Sequence, residues 1–143
     1  MLRVVLDANV FVSAYINPGG TPGQIIESFL RDGSFALVLS EPIIDEVLKA
    51  LAYPKVQKAA LSKTNPALWF EDLVVLSQLV GDDIAVERIS ADPDDDQYIA
   101  CAIAGRATFL VTGDPDLLTV RQHEGVRIVT PRSFLSSIAS TDL

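Results

Sequence analysis

Cysteine and histidine are nearly absent from the chain, which has one of each, Cys101 and His123, among its 143 residues. A single cysteine cannot form an intramolecular disulfide, and the small apolar residues around Cys101 favour a buried, unreactive thiol. A structural zinc site needs more thiol and imidazole groups than this chain supplies. A Cys–His catalytic pair would have to use Cys101, whose predicted burial argues against it. The sequence therefore argues against zinc chemistry and against thiol catalysis.

Long apolar runs are also lacking, since no continuous stretch approaches the roughly 18 residues of a membrane-spanning helix. We expect a cytoplasmic protein that does not enter a membrane. A chain of 143 residues suits one domain, here residues 1–143. Its 49% of hydrophobic and 21% of charged residues are typical of a globular protein.

Positive charge is scarce, and the net charge of −8 argues against a protein that coats nucleic acid. Acidic residues are missing, however, from the segment between Val47 and Phe70. The lysines of this segment are Lys49, Lys55, Lys58 and Lys63. We interpret the segment either as a solvated helical face or as a surface that binds a polyanion such as RNA.

Short β-like runs alternate with longer helical runs along the chain, as in the βαβ units of a mostly parallel sheet. The predicted strands are Arg3–Leu6, Phe35–Leu39, Asp83–Glu87, Thr108–Thr112 and Val126–Val129. One predicted helix begins after Ser40, a candidate N-cap. Another is predicted from Pro66 through Leu79, and a third begins at Asp94 or Asp95 and ends at Gly105.

Acidic residues follow the ends of these predicted strands. Asp7 ends the first strand, Glu46 lies in the helix after the second, and Asp114 follows the fourth. The acid-rich run Asp92-Pro-Asp-Asp-Asp96 opens the helix after the third. The carboxyl ends of parallel strands meet at one edge of the sheet, where α/β proteins bind their ligands. We therefore expect these carboxylates to converge.

Helix capping explains any one acid at such a position. Four loops that bring carboxylates to one edge would repel one another unless a cation lay among them. Clustered oxygen ligands without histidine or cysteine suit Mg²⁺ or Mn²⁺ rather than zinc. A divalent ion of this kind is suited to the hydrolysis of phosphodiester bonds.

Four strings of residues resemble the motifs of the PIN-domain family, and in particular of VapC-like toxin ribonucleases of bacterial toxin–antitoxin systems. The strings are Val5-Leu-Asp-Ala-Asn-Val-Phe-Val-Ser13, Ser40-Glu-Pro-Ile-Ile-Asp-Glu46, Asp92-Pro-Asp-Asp-Asp-Gln-Tyr-Ile-Ala100 and Leu110-Val-Thr-Gly-Asp-Pro-Asp-Leu-Leu118. Each string alone is weak evidence. Their occurrence in the right order over nearly the whole chain is a specific signal.

The resemblance implies a PIN-like three-layer α/β/α sandwich with a central parallel five-stranded sheet of order 3-2-1-4-5. It also implies an endoribonuclease that depends on Mg²⁺ (or Mn²⁺), forms a homodimer and is inhibited by a cognate antitoxin protein. The alternative is a non-catalytic PIN module that binds RNA or a protein partner without cutting. The complete set of acids favours the nuclease.

The resemblance also assigns roles to single residues. Asp7, Glu46 and Asp114 match the first, second and fourth acids of the family. The pattern Asp-Pro-x-Asp and the helical spacing from Ile99 point to Asp95 as the third acid, with Asp96 as the alternate. Other polar positions that match the surroundings of the site are Asn9, Ser13, Ser40 and Thr112. Lys49, Lys55, Lys58 and Lys63 remain the candidates for binding substrate.

Overall fold

The computed structural model describes residues 1–61, 63–81 and 95–141. Its strands are β1 (Arg3–Leu6), β2 (Ala36–Ser40), β3 (Gln78–Val80), β4 (Phe109–Val111), β5 (Gln122–His123) and β6 (Val126–Val129). Its α-helices are α1 (Ala8–Ile16), α2 (Thr21–Glu27), α3 (Glu41–Leu51), α4 (Pro54–Ala59), α5 (Pro66–Leu76), α6 (Asp96–Ala104), α7 (Pro115–Val120) and α8 (Pro131–Thr141). A π-helical turn at Ser28–Asp32 extends α2 and ends at Gly33, whose φ is +60°.

The described strands form one sheet in the order β3-β2-β1-β4-β6-β5. All neighbouring pairs are parallel except β5 with β6, so the prediction of a mostly parallel α/β sheet is confirmed. The described residues contain six strands instead of the expected five, and β3 and β5 are the two that were not predicted; β5 forms because Gln122 and His123 fold back along β6. Glu124 and Gly125 connect them, both with positive φ, as in the two-residue hairpin turns that match strand twist.

The prediction of a helix through Leu79 was wrong at its C-terminal end. Helix α5 ends at Leu76, and Gln78–Val80 forms edge strand β3 beside β2. The buried side chains of α5 are Phe70 and Leu73, whereas Leu76 is 61% exposed. A further helical turn after Leu76 would therefore bury no apolar side chain in the core. Residues 78–80 instead form hydrogen bonds with β2, and this tertiary contact outweighs their helix propensity. The predicted strand Asp83–Glu87 lies outside the described residues.

The central strands of the sheet, β2, β1 and β4, are buried on both faces. Val4, Val5 and Leu6 have no exposed surface although successive strand side chains point to opposite faces, so helices must cover both sides. Phe134 of α8 packs edge-on against Phe35 and Phe109, with ring centroids 5.3 and 5.6 Å apart. No helix within the described ranges is both long enough and apolar enough to cross a membrane.

Helix α6 lies close to the sheet, packing against β1, β2, β4 and β6. It ends at Gly105, where a Cβ atom would lie only 2.4 Å from Cγ1 of Val38. Cys101 on this helix is buried, as predicted, and its burial raises the pKa of the thiol to about 11. Ser40 occupies the N-cap position of α3, as predicted, but its side chain makes no capping bond there and hydrogen-bonds to Cys101 instead.

Candidate metal centre

Asp7 is the most buried of the predicted acids, with 4% of its surface exposed. It leaves β1 and caps α1, with its Oδ1 accepting a hydrogen bond from the Asn9 backbone N–H at 3.2 Å. Its Oδ2 accepts a bond from the Thr112 hydroxyl at 2.6 Å. The two residues meet because β1 and β4 are parallel neighbours, with Leu6 aligned to Val111. The pairing of central strands thus fixes Asp7 in place.

Thr112 links Asp7 to the next acid along the edge. Its side chain is fully buried, and its Oγ1 accepts a hydrogen bond from the Asp114 backbone N–H at 3.0 Å. Asp114 caps α7 by accepting a bond from the Asp116 N–H at 2.9 Å. The Thr112 hydroxyl therefore donates to one predicted acid and accepts from the backbone of another.

A cluster of three carboxylates lies at this edge. One oxygen from each of Asp95, Asp114 and Asp116 falls within 4.8 Å of the other two. Asp95 precedes α6 and is 8% exposed, whereas Asp96 is half-buried in the first turn of that helix. Of the two alternates for the third acid, Asp95 is the one that joins this cluster. Asp116 was not predicted, although the spacing Asp114-Pro-Asp116 at a helix start was visible in the sequence.

Glu46 approaches the same edge from α3. Its Oε2 accepts hydrogen bonds from the Tyr98 hydroxyl at 2.7 Å and from the side-chain amide of Gln97. The Tyr98 oxygen in turn accepts a bond from the Ala8 N–H, next to Asp7, at 3.3 Å. Burial, the bond to Glu46 and the charges of Asp7 and Glu46 raise the pKa of Tyr98 far above its usual value. Tyr98 is thus a neutral donor between two predicted acids.

Sequence reasoning missed Tyr98 and Gln97 as neighbours of Glu46. Both lie inside the acid-rich string that begins at Asp92, but nothing in the spacing shows that they turn toward α3. The other expected supporting residues are less central. Asn9 and Ser13 are exposed on α1, and Asn9 contributes its backbone N–H, while Ser40 contacts Cys101.

The four candidate substrate lysines are all exposed. Lys49 lies in the last turn of α3, and Lys55 and Lys58 lie on α4. Lys63 lines a polar cavity of about 330 Å³ together with Tyr15. Because α4 packs against α1 and α3, Lys55 and Lys58 lie on a helix next to the one that follows Asp7 and the one that carries Glu46.

The donor set fits a hard divalent cation. The side chains that converge offer carboxylate oxygens, the donors preferred by Mg²⁺ and Mn²⁺. Two oxygens bound to one Mg²⁺ at about 2.1 Å lie no more than about 4.2 Å apart. The 4.8 Å limit of the cluster is close to this value. Small side-chain movements would therefore be enough to coordinate one ion.

The chain belongs to the PIN domain family, whose profile matches residues 3–116. PIN-domain proteins are generally nucleases that use divalent metal ions. The uncharacterized protein MJ1680 of Methanocaldococcus jannaschii is 28% identical over an alignment 142 positions long, and the match covers 94% of this chain and 90% of that protein.

A similar fold occurs in the structure of VapBC2 from Rickettsia felis bound to a promoter DNA fragment. The likeness has a TM-score of 0.56 and covers 90% of this chain and 98% of the matched one. The two sequences are 12% identical, so this likeness shows the fold alone.

Proposed function

We propose that the protein is an endoribonuclease that depends on Mg²⁺ or Mn²⁺ and hydrolyses phosphodiester bonds in RNA. The observation that carries the proposal is the hydrogen-bonded unit of Asp7, Thr112 and Asp114 beside the carboxylates of Asp95 and Asp116. These groups lie at the carboxyl edge of a parallel sheet, in a family whose members are generally nucleases.

Each acid has a distinct part in this proposal. Asp95, Asp114 and Asp116 hold the ion together with Asp7, and Glu46 is a direct or water-mediated ligand. Thr112 keeps Asp7 and the Asp114 backbone at a fixed separation. A bound ion would polarise a phosphoryl oxygen and lower the pKa of a water molecule. The carboxylates themselves are negatively charged, so without a bound cation they would repel the phosphate groups of RNA.

The proposal extends to partners. A resemblance to VapC-like proteins in sequence motifs and to VapBC2 in fold supports the toxin component of a toxin–antitoxin pair, with a cognate antitoxin. We also propose a homodimer. Helix α5 and the following strand expose apolar side chains that a second protein chain would cover; these are Leu68, Val75, Leu76 and Leu79.

A non-catalytic PIN module that binds RNA or a protein is the second candidate. Such a module needs a folded surface but no coordinated acids. The hydrogen bonds that orient Asp7 and Glu46 favour the nuclease over this module. A module that only binds RNA or a protein has no use for carboxylates that are costly to remove from water.

The deciding experiment compares the native chain with Asp7→Asn on single-stranded RNA and DNA, with Mn²⁺ and with chelator. Asparagine caps a helix as well as aspartate does, so the start of α1 should survive the change. The matched control is Asp32→Asn, which removes the same charge from an exposed position in the π-helical turn.

We expect the native chain and Asp32→Asn to cleave RNA only when metal is present. Mutating a residue that only hydrogen-bonds to a metal ligand costs up to roughly 100-fold in activity. Asp7→Asn changes a proposed ligand itself, so its activity should fall by more than that. Calorimetry should show Mn²⁺ binding to the native chain and not to Asp7→Asn. Cleavage by Asp7→Asn at the native rate would contradict the proposal, and RNA binding without cleavage at any Mn²⁺ concentration would favour the non-catalytic module.

A further inference from the structure

Glu46 differs from the other acids of the site in how its side chain can be oriented. Asp7 and Asp114 cap helices, and backbone N–H groups hold one oxygen of each. Glu46 is the sixth residue of α3, where the backbone N–H groups are already used within the helix. A glutamate side chain has several rotatable bonds, and fixing it costs conformational entropy. Its orientation therefore depends on donors from another element.

Those donors come from α6. Gln97 and Tyr98 both donate to Oε2 of Glu46, across 51 and 52 positions of sequence. Asp95 lies three residues before Tyr98, and residues at this spacing share one side of a helix. The start of α6 therefore brings Asp95 to the site and also contacts a second acid, Glu46 of α3.

The direction of the Tyr98 hydrogen bond follows from its partners. The Ala8 N–H can only donate, so the Tyr98 oxygen accepts there. A phenol has a single proton, and with the oxygen accepting from Ala8 that proton is available for Glu46. Tyr98 is 2% exposed, so its hydroxyl has little access to bulk water. The hydroxyl therefore connects the carboxylate of Glu46 to the first residue of α1, directly after Asp7.

We propose that Tyr98 is a positioning residue whose hydroxyl fixes the Glu46 carboxylate beside the start of α1 and so prepares it for the divalent ion. The inference rests on the proposed function, since the ion is part of it. The aromatic ring of Tyr98 fills the core in any case, but ring packing alone does not require the hydroxyl. The hydroxyl is the group to test.

The test is Tyr98→Phe, which removes only the hydroxyl, with Tyr15→Phe as the matched control. Tyr15 is also buried, and its hydroxyl donates to the Thr64 carbonyl. It lies near the far end of α1, about 10 Å along the helix from Ala8 at 1.5 Å per residue. Both substitutions delete one buried hydroxyl, which makes hydrogen bonds to Ala8 and Glu46 in Tyr98 and to Thr64 in Tyr15, so some general loss of stability should be common to both.

We expect Tyr98→Phe to weaken Mn²⁺ binding in calorimetry by roughly 10- to 100-fold, the usual effect of losing a partner that orients a metal ligand. Tyr15→Phe should bind Mn²⁺ like the native chain. In a Glu46→Ala background, adding Tyr98→Phe should change Mn²⁺ affinity by less than about twofold, because the carboxylate that it orients is gone. Native affinity in Tyr98→Phe, or an equal loss with and without Glu46, would overturn the proposal.

A second readout needs neither metal nor RNA. In chelator, the denaturation midpoints of the native chain, the two single variants and the double variant form a thermodynamic cycle. We expect Tyr98→Phe to lower the midpoint of the native chain more than that of Glu46→Ala. Additive shifts would show that the hydroxyl does not hold Glu46. If the native chain bound no Mn²⁺, the proposed function would fail, while this cycle would still decide whether Tyr98 positions Glu46.

Discussion

Replacing Thr112 with valine tests whether one hydroxyl holds the site together. Valine keeps the branched shape and removes the group that donates to Asp7 and accepts from the Asp114 N–H. A hydrogen bond to a charged group contributes about 1.5–3 kcal/mol, and a neutral one about 1 kcal/mol. The Asp114 N–H recovers part of its bond from water, because Asp114 is only half-buried. We expect a loss of about 2–3 kcal/mol in the free energy of unfolding.

The expected shift in melting temperature follows from the size of the chain. An unfolding entropy of about 2.1 cal/mol/K per residue gives roughly 0.3 kcal/mol/K for 143 residues. Thr112→Val should therefore melt about 7–10 °C below the native chain in chelator. Mn²⁺ affinity should fall as well, because the separation of Asp7 and Asp114 is no longer fixed.

Thr112→Ser is the matched control for this substitution. Serine keeps the hydroxyl and loses one buried methyl group, at a cost of about 1 kcal/mol. The expected order of stability is native, then Thr112→Ser, then Thr112→Val, measured by thermal and denaturant unfolding. If Thr112→Val proved as stable as Thr112→Ser, the hydroxyl would not be holding Asp7, and the argument for a preorganised acid would fail.

Two further predictions concern RNA binding and packing. Charge reversal of Lys55 and Lys58 together should weaken RNA binding and make the negative slope of log affinity against log salt shallower by about 0.7 per lost phosphate contact. Metal affinity should not change, and an unaltered slope would mean that RNA enters elsewhere. Gly23→Ala places a Cβ atom 2.1 Å from the Pro18 carbonyl oxygen and should lower the free energy of unfolding by about 3 kcal/mol or more. In the control Gly113→Ala, the added Cβ atom meets nothing within 4 Å, and the free energy of unfolding should change by less than about 0.5 kcal/mol. A gain in stability from Gly23→Ala, as helix propensity alone would give, would contradict the close packing at α2.

The central strands were predictable because parallel strands buried on both faces appear as continuous apolar runs. Arg3–Leu6 was predicted with the bounds that the structure gives it. Val126–Val129 was also predicted with its observed bounds, although its Arg127 is exposed. Edge strand β3 was missed because its pairing with β2 is a long-range contact. A strand of three residues directly after a helix is too short for its sequence pattern to show where the helix ends and the strand begins. Strand β5 has only two residues and was missed for the same reason.

The candidate site was predictable to the extent that it depends on topology. Asp7 and Asp114 follow strands that prove to be neighbours of the same sheet, and Thr112 connects them. What the sequence could not show is which side chains of one helix reach another. Tyr98 contacts Glu46 because α6 and α3 pack together, and that geometry depends on the whole core.

Capping alone does not account for all of the acids at this edge. It explains one oxygen of Asp7 and one of Asp114, which accept backbone N–H bonds at the starts of α1 and α7. It does not explain Glu46, which lies within α3 and not at its start. Burying carboxylates close together is unfavourable unless something compensates their charge. A divalent cation would compensate the charge of capping and non-capping acids alike, which is why the metal-dependent nuclease explains more of this site than a folded binding module does.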